Sequence, residues 1–132
     1  MKEFARFEWE RALRSLATAR QALETDPDSS VSRSYYAAFH AVTALFAMRG
    51  QTFSKHTAVR AAVHRNLAQS GLISKSVARD YDFLLELREK GDYGGPVSVS
   101  PDNARLALSK AQDLLDTIHK VCPEMDNPIQ ED

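Results

Sequence analysis

Arg88 and Asp92 stand one helical turn apart, and their neighbours make that spacing chemically interesting. Val77, Tyr81 and Leu84 form an apolar stripe at helical spacing, and the next members of the stripe are Arg88 and Asp92. A guanidinium in line with core positions is costly unless it is paired or lines a polar site. Arg88 offers a planar, permanently charged fork suited to phosphate or carboxylate, and Asp92 can pair with it. Tyr93 stands beside that pair, with a phenol that gives a proton or hydrogen bond more readily than it takes one. The spacing leaves two readings open: an ion pair that staples a helix end, or a site that holds an anion.

Other polar residues recur in apolar surroundings. Arg33, Tyr36 and His40 lie three and four residues apart within the stretch from Val31 to Arg49. There Val31, Tyr35, Ala38, Val42 and Leu45 make one apolar stripe, while Tyr36, Phe39, Thr43 and Phe46 make a second. A helix apolar on most sides is buried on most sides, in a core or against a second copy, so its polar flank needs partners. His40 is open to two readings, a satisfied core histidine or a proton carrier. Lys55 and His56 open a later helix, where they serve as an anion site or as a solvated cap. His64 and His119 fall on the polar sides of amphipathic helices and read as surface residues.

The elements that must position these groups are helical. Helix one runs from about Phe4 to Glu24, with Trp9, Leu13, Leu16 and Leu23 near one face and Arg6, Arg11 and Arg14 elsewhere. Thr25-Asp26-Pro27-Asp28 ends it, and Ser29 or Ser30 caps helix two, which stops at Gly50. Ser54 caps helix three, about Lys55 to Gln69, closed by Ser70-Gly71, and Ser74 caps helix four, about Lys75 to Lys90. The breakers Gly91-Asp92-Tyr93-Gly94-Gly95-Pro96 read as a turn or loop. Ser100-Pro101 starts helix five, which carries Leu106, Leu108, Leu114, Leu115 and Ile118, and Pro123 ends it. The fold class that follows is all-α: an up-and-down bundle of four to five helices, in one domain over residues 1–122, with an acidic, disordered tail over 123–132.

Composition narrows the function classes. The chain has 132 residues, 43% hydrophobic and 27% charged, the balance of an ordinary soluble domain. The single cysteine, Cys122, excludes an internal disulfide framework and fits a reducing cytoplasm. No apolar run suits a membrane span, and no cysteine and histidine spacing suits a metal, so neither membrane nor metal nor cofactor is expected. Net charge is −1, yet Glu124, Asp126, Glu131 and Asp132 lie in the last ten residues. Without those four of the 18 acids, 14 face 17 basic residues, a mildly basic body that permits RNA as a ligand without arguing for it.

The blocks S-R-S-Y-Y-A-A-F-H-A at 32–41, S-K-H-T at 54–57 and L-R-E-K-G-D-Y at 87–93, followed by a last helix rich in Ala and Leu, together resemble a compact prokaryotic HEPN domain over about residues 4–121. The resemblance implies a helical bundle that forms a homodimer. Many such proteins are metal-independent endoribonucleases with an arginine and a following histidine in a cleft between two subunits. Others are non-catalytic partners of small nucleotidyltransferases, and some pairs act as toxin and antitoxin. In some of those toxins a tyrosine beside the motif is modified by the partner enzyme.

This chain departs from the nuclease pattern, because the motif reads R-x4-Y and Tyr93 stands where histidine is expected. On the nuclease reading Arg88 holds the phosphate, and Asp92, Tyr93 or His40 completes the catalytic set. Arg33, Tyr36, Lys55, His56 and Lys90 then guide or stack RNA or nucleotide, with His56 a further candidate for moving protons. On the alternative reading the same residues bind a nucleotide or dock a nucleotidyltransferase-type antitoxin without turnover, and Tyr93 accepts a nucleotidyl group. A third reading is a helical dimer whose polar motif is only structural.

Overall fold

The computed structural model describes residues 2–93 and 99–125, without the side chain of Tyr93. Five helices carry these residues, with no strand among them: α1 (Lys2–Ala22), α2 (Pro27–Met48), α3 (His56–Ala62), α4 (Lys75–Tyr93) and α5 (Pro101–Val121). A π-helical turn, Val63–Ala68, continues α3, and a 3₁₀ turn, Pro123–Met125, follows α5. The fold is therefore the expected all-α bundle. No described helix is long and apolar enough to cross a membrane.

Helix α2 is the axis of the bundle and packs against α1, α4 and α5. Val31, Tyr35, Ala38, Val42 and Leu45 are all buried, as their stripe requires. The adjoining side is small: Ser30, Ala37, Ala41 and Ala44 are buried too. Ala5, Ala12, Ser15 and Ala19 line the buried side of α1, and small residues on facing helices let backbones approach closely. Ser30 Oγ donates to the carbonyl of Ala19 at 2.7 Å, which satisfies a hydroxyl that has no access to water. Trp9 and Leu16 are buried as their stripe implies, but Leu13 is 43% exposed, so alanines rather than leucines carry much of the α1 contact.

Several boundaries differ from the sequence reading, each for a local reason. Asp26, not Ser29 or Ser30, caps α2: its Oδ1 accepts from the Ser29 amide at 3.2 Å and its Oδ2 from the Ser29 hydroxyl at 2.6 Å. Pro27 then occupies the first helical turn, where a missing N–H costs nothing. Ser54 does not cap α3; Lys55 holds the cap position in extended conformation with no side-chain bond. Ser74 and Ser100 do cap α4 and α5, accepting from Val77 and Asn103 amides at 3.1 Å.

The expected break at Gly91 is also absent, since α4 runs on through Gly91 and Asp92 to Tyr93. Gly91 makes no turn and sits close under Val99 and Asp28. A Cβ there would sit 3.3 Å from Val99 and 3.6 Å from Asp28 Oδ1. Asp28 accepts the Val99 amide at 2.9 Å, tying the start of α2 to the approach to α5. The rest of the expected turn, Gly94 to Pro96, lies outside the described residues. Pro123–Met125 form a 3₁₀ turn whose Met125, 3% exposed, packs into the core; residues 126–132 lie outside the described residues.

Candidate functional site

The polar flank of α2 meets the start of α3 and the last turns of α4 around two adjacent phenols, Tyr35 and Tyr36. Helical continuity through Asp92 is what completes the site: Arg88 Nε lies 3.1 Å from Asp92 Oδ2, with the two side chains 21% and 33% exposed. That contact is an ion pair by distance only. Its angle makes no hydrogen bond, and the buried Nε has no hydrogen-bond partner. The guanidinium lies over both phenols, 5.4 Å from the Tyr35 ring centre and 5.1 Å from that of Tyr36. Arg33 approaches the Tyr36 ring at the same 5.1 Å. Two guanidinium groups thus share one ring, an arrangement that cation–π attraction supports.

His56 enters this group from α3. Its Nδ1 lies 2.8 Å from the Tyr35 hydroxyl, and its ring stacks on Phe39 at 4.1 Å with only 5° between the planes. The Tyr35 hydroxyl is in turn 3.4 Å from that of Tyr81. The result is a line of three exchangeable protons running from the core toward the surface. Burial pushes the Tyr35 phenol up, with the Tyr81 bond and the Arg88 charge opposing; burial likewise holds Tyr81 well above the ordinary phenol range. His56 moves the other way. Loss of hydration first, then the positive charge of Arg88 and the neighbouring His40, lowers its pKa below 6.5, so the imidazole is neutral at pH 7. In one tautomer Nδ1 accepts from the phenol and Nε2 has a proton to give. In the other Nδ1 donates, and Nε2 has a lone pair to take one.

His40 is held on the far side of Tyr36. Its Nδ1 donates to Glu8 Oε1 at 2.7 Å, and its ring centre is 5.5 Å from Phe39 and 6.1 Å from Tyr36. Glu8 is buried in α1. The sequence contained a signal for it, because Ala5, Glu8, Ala12, Ser15 and Ala19 alternate in threes and fours. A carboxylate inside such a stripe is the same anomaly that Arg88 presents in α4.

Of the residues expected from sequence, then, the structure gathers Arg33, Tyr36, His40, His56, Arg88 and Asp92. Lys55 and Lys90 are exposed and make no ion pair among the described residues. The Tyr93 phenol lies outside the described residues. His64, read as a surface residue, keeps 39% of its side chain exposed but is tied down in the π turn, its Nε2 2.9 Å from Asp82 Oδ2, while Arg60 Nε donates to Asp82 Oδ1 at 2.8 Å. Tyr35, Phe39 and Tyr81 were legible only as core.

Such a site can do two things. A cationic fork over aromatic faces holds a phosphate beside a stacked base, and a neutral imidazole fixed at one nitrogen moves a proton at the other. Among the described residues no three of His, Cys, Asp and Glu gather as metal ligands.

A family model for the HEPN domain matches residues 5–121. A UPF0332 protein of Thermotoga maritima is similar: 37% identical over 97 residues, which is 74% of each chain. The R-S-Y-Y-x-x-F-H block on α2, the histidine at the head of α3 and the arginine of α4 converge on one patch, and over nearly its whole length the chain belongs to the HEPN domain family.

Proposed function

We infer that this HEPN protein is a metal-independent endoribonuclease, a toxin-like component that works as a homodimer, with Arg88 as phosphate clamp and His56 as proton carrier. The single observation that supports this most is the bond from His56 to Tyr35 beside the Arg88 guanidinium. It supplies an imidazole near the arginine from α3, although the R-x4-Y segment of α4 lacks one.

The chemistry follows from these groups. His56 Nε2 takes the proton of a 2′ hydroxyl; that oxygen bonds to the adjacent phosphorus, and the bond from phosphorus to the 5′ oxygen breaks. Arg88 offsets the charge that develops on the phosphate oxygens, and Tyr36 stacks a base. In-line displacement puts the 2′ and 5′ oxygens on opposite sides of phosphorus. The leaving 5′ oxygen, on the far side of phosphorus from His56, takes its proton from water. The products are a 2′,3′-cyclic phosphate and a free 5′ hydroxyl.

The test is cleavage of single-stranded RNA in EDTA by wild type, Arg88→Ala and His56→Gln. Loss of an oxyanion-stabilising group commonly costs about 10²–10³ in rate, and loss of a general base about 10²–10⁴. Both variants should fall accordingly, with cyclic-phosphate ends in the wild-type products. Full cleavage by Arg88→Ala sinks the reading.

One observation favours a second reading. Asp92 already sits against Arg88, which tempers the clamp, and the phenols and Phe39 suit a nucleotide held without turnover. A non-catalytic module that binds nucleotide or docks a nucleotidyltransferase would show Arg88-dependent binding and no cleavage.

A further inference from the structure

Beyond the Arg88 patch, α1 and α2 form an open pocket of about 400 Å³ lined by Arg11, Arg14, Ser15, Thr18, Arg33 and His40. Its composition is one-sided. Three guanidinium groups, two hydroxyls and an imidazole face it, in a chain whose acids outnumber its bases by 18 to 17. Arg14 and Arg33 have no acid partner among the described residues. Arg11 has Glu8 at 3.7 Å, but that carboxylate is buried and already tied to His40 at 2.7 Å. Glu8 therefore offsets only part of the charge. Three like charges around one pocket repel each other through a partly screened medium, and an anion that enters it relieves all three repulsions at once.

The pocket also adjoins the Arg88 patch. Arg33 lines it and lies over Tyr36, the ring that Arg88 covers too. His40 lines it and touches both Tyr36 and Phe39. A strand whose base stacks at Tyr36 and whose phosphate meets Arg88 has its next phosphates carried toward Arg33, Arg14 and Arg11.

The geometry points to the α1–α2 pocket as a second phosphate subsite, which takes the backbone of single-stranded RNA next to the nucleotide held at Arg88. This assignment rests on the RNA reading of the neighbouring patch. The ligand class is the phosphodiester backbone, since three guanidinium groups suit phosphate and the lining offers no phenyl, phenol or indole ring on which a base would stack.

The test uses a short RNA with 2′-O-methyl groups, which binds but cannot be cut, followed by fluorescence anisotropy over a salt series. Arg11→Gln/Arg14→Gln should weaken binding about tenfold at low salt and reduce the salt slope by about 1.4, roughly 0.7 for each lost contact on a single strand. Arg14→Gln alone should take about half of that slope, and Arg14→Lys should restore it. Both residues are exposed, so an unchanged melting temperature is expected and serves as the folding control. Unchanged affinity and slope in the folded double variant overturn the subsite, as does wild type that fails to bind the RNA. ATP that binds more tightly than the RNA, with RNA affinity indifferent to both arginines, overturns the backbone assignment. Absence of cleavage on unmodified RNA sinks the nuclease reading alone, because the anisotropy needs no turnover.

Discussion

Glu8 of α1 and His40 of α2 meet at 2.7 Å, with only 8% of the glutamate side chain and 16% of the histidine side chain exposed. A carboxylate this deep is stable only while its partner is in place. His40→Ala strands Glu8 and should destabilise the fold by about 2 kcal/mol. The double variant Glu8→Met/His40→Leu fills the space with apolar atoms and should recover most of that loss. Urea midpoints at constant slope measure both; equal losses in single and double variants would show that the pair is not coupled.

His56 should titrate below 6.5 in the folded chain, because burial, Arg88 and His40 all disfavour its charged form. Folding lowers this pKa, so its contribution to stability is fully present above 6.5 and is lost as pH falls through the folded value. A base must be neutral to act, so cleavage should rise with pH through the same depressed value. Histidine Cε1–H shifts followed by NMR give the titration directly. Arg88→Met removes the permanently charged neighbour and should move His56 back toward 6.5; an unmoved titration would separate the two residues.

Tyr35→Phe keeps the ring that carries Arg88 and removes the hydroxyl that holds His56. The bond to His56 is 2.8 Å and that to Tyr81 is 3.4 Å, so the first is the stronger. A stability loss of about 1 kcal/mol is expected, together with a fall in kcat at nearly unchanged RNA affinity. Tyr81→Phe should cost less of both. Equal effects from the two variants would mean that the phenols act as packing rather than as an orienting line.

Cys122 is buried, and its thiol is pushed up to about 11 by that burial and by the nearby Glu124 carboxylate. The reactive thiolate is therefore scarce at pH 8. Native protein should react with an aromatic disulfide reagent far more slowly than urea-unfolded protein, and Glu124→Gln should narrow the gap modestly. Fast native labelling would show that the 3₁₀ turn after α5 opens readily.

Periodicity alone was enough for the all-α class, the buried stripe of α2 and the placing of an arginine in the apolar line of α4. Apolar residues at helical spacing have one economical burial, so their pattern carries the fold. Caps were less legible. Asp26, Ser29 and Ser30 are all good cap residues, and only the position of Pro27 in the first turn decided among them. Gly91 looked like a breaker because propensity is local, whereas in the fold α4 continues through it, close under Val99 and Asp28.

The site divides in the same way. Arg33, Tyr36, His40 and Arg88 were visible as polar residues in apolar company. That His56 rests on Tyr35, that Glu8 holds His40, and that Arg11 and Arg14 line one pocket with Arg33 are facts of tertiary structure alone. Each joins residues from different helices, at separations of 19 to 32 in sequence for the closest such pairs. Helical spacing says which side of its own helix a residue occupies. Which other helix that side faces, and at what distance, is decided only when the small residues of α1 and α2 let their backbones close together.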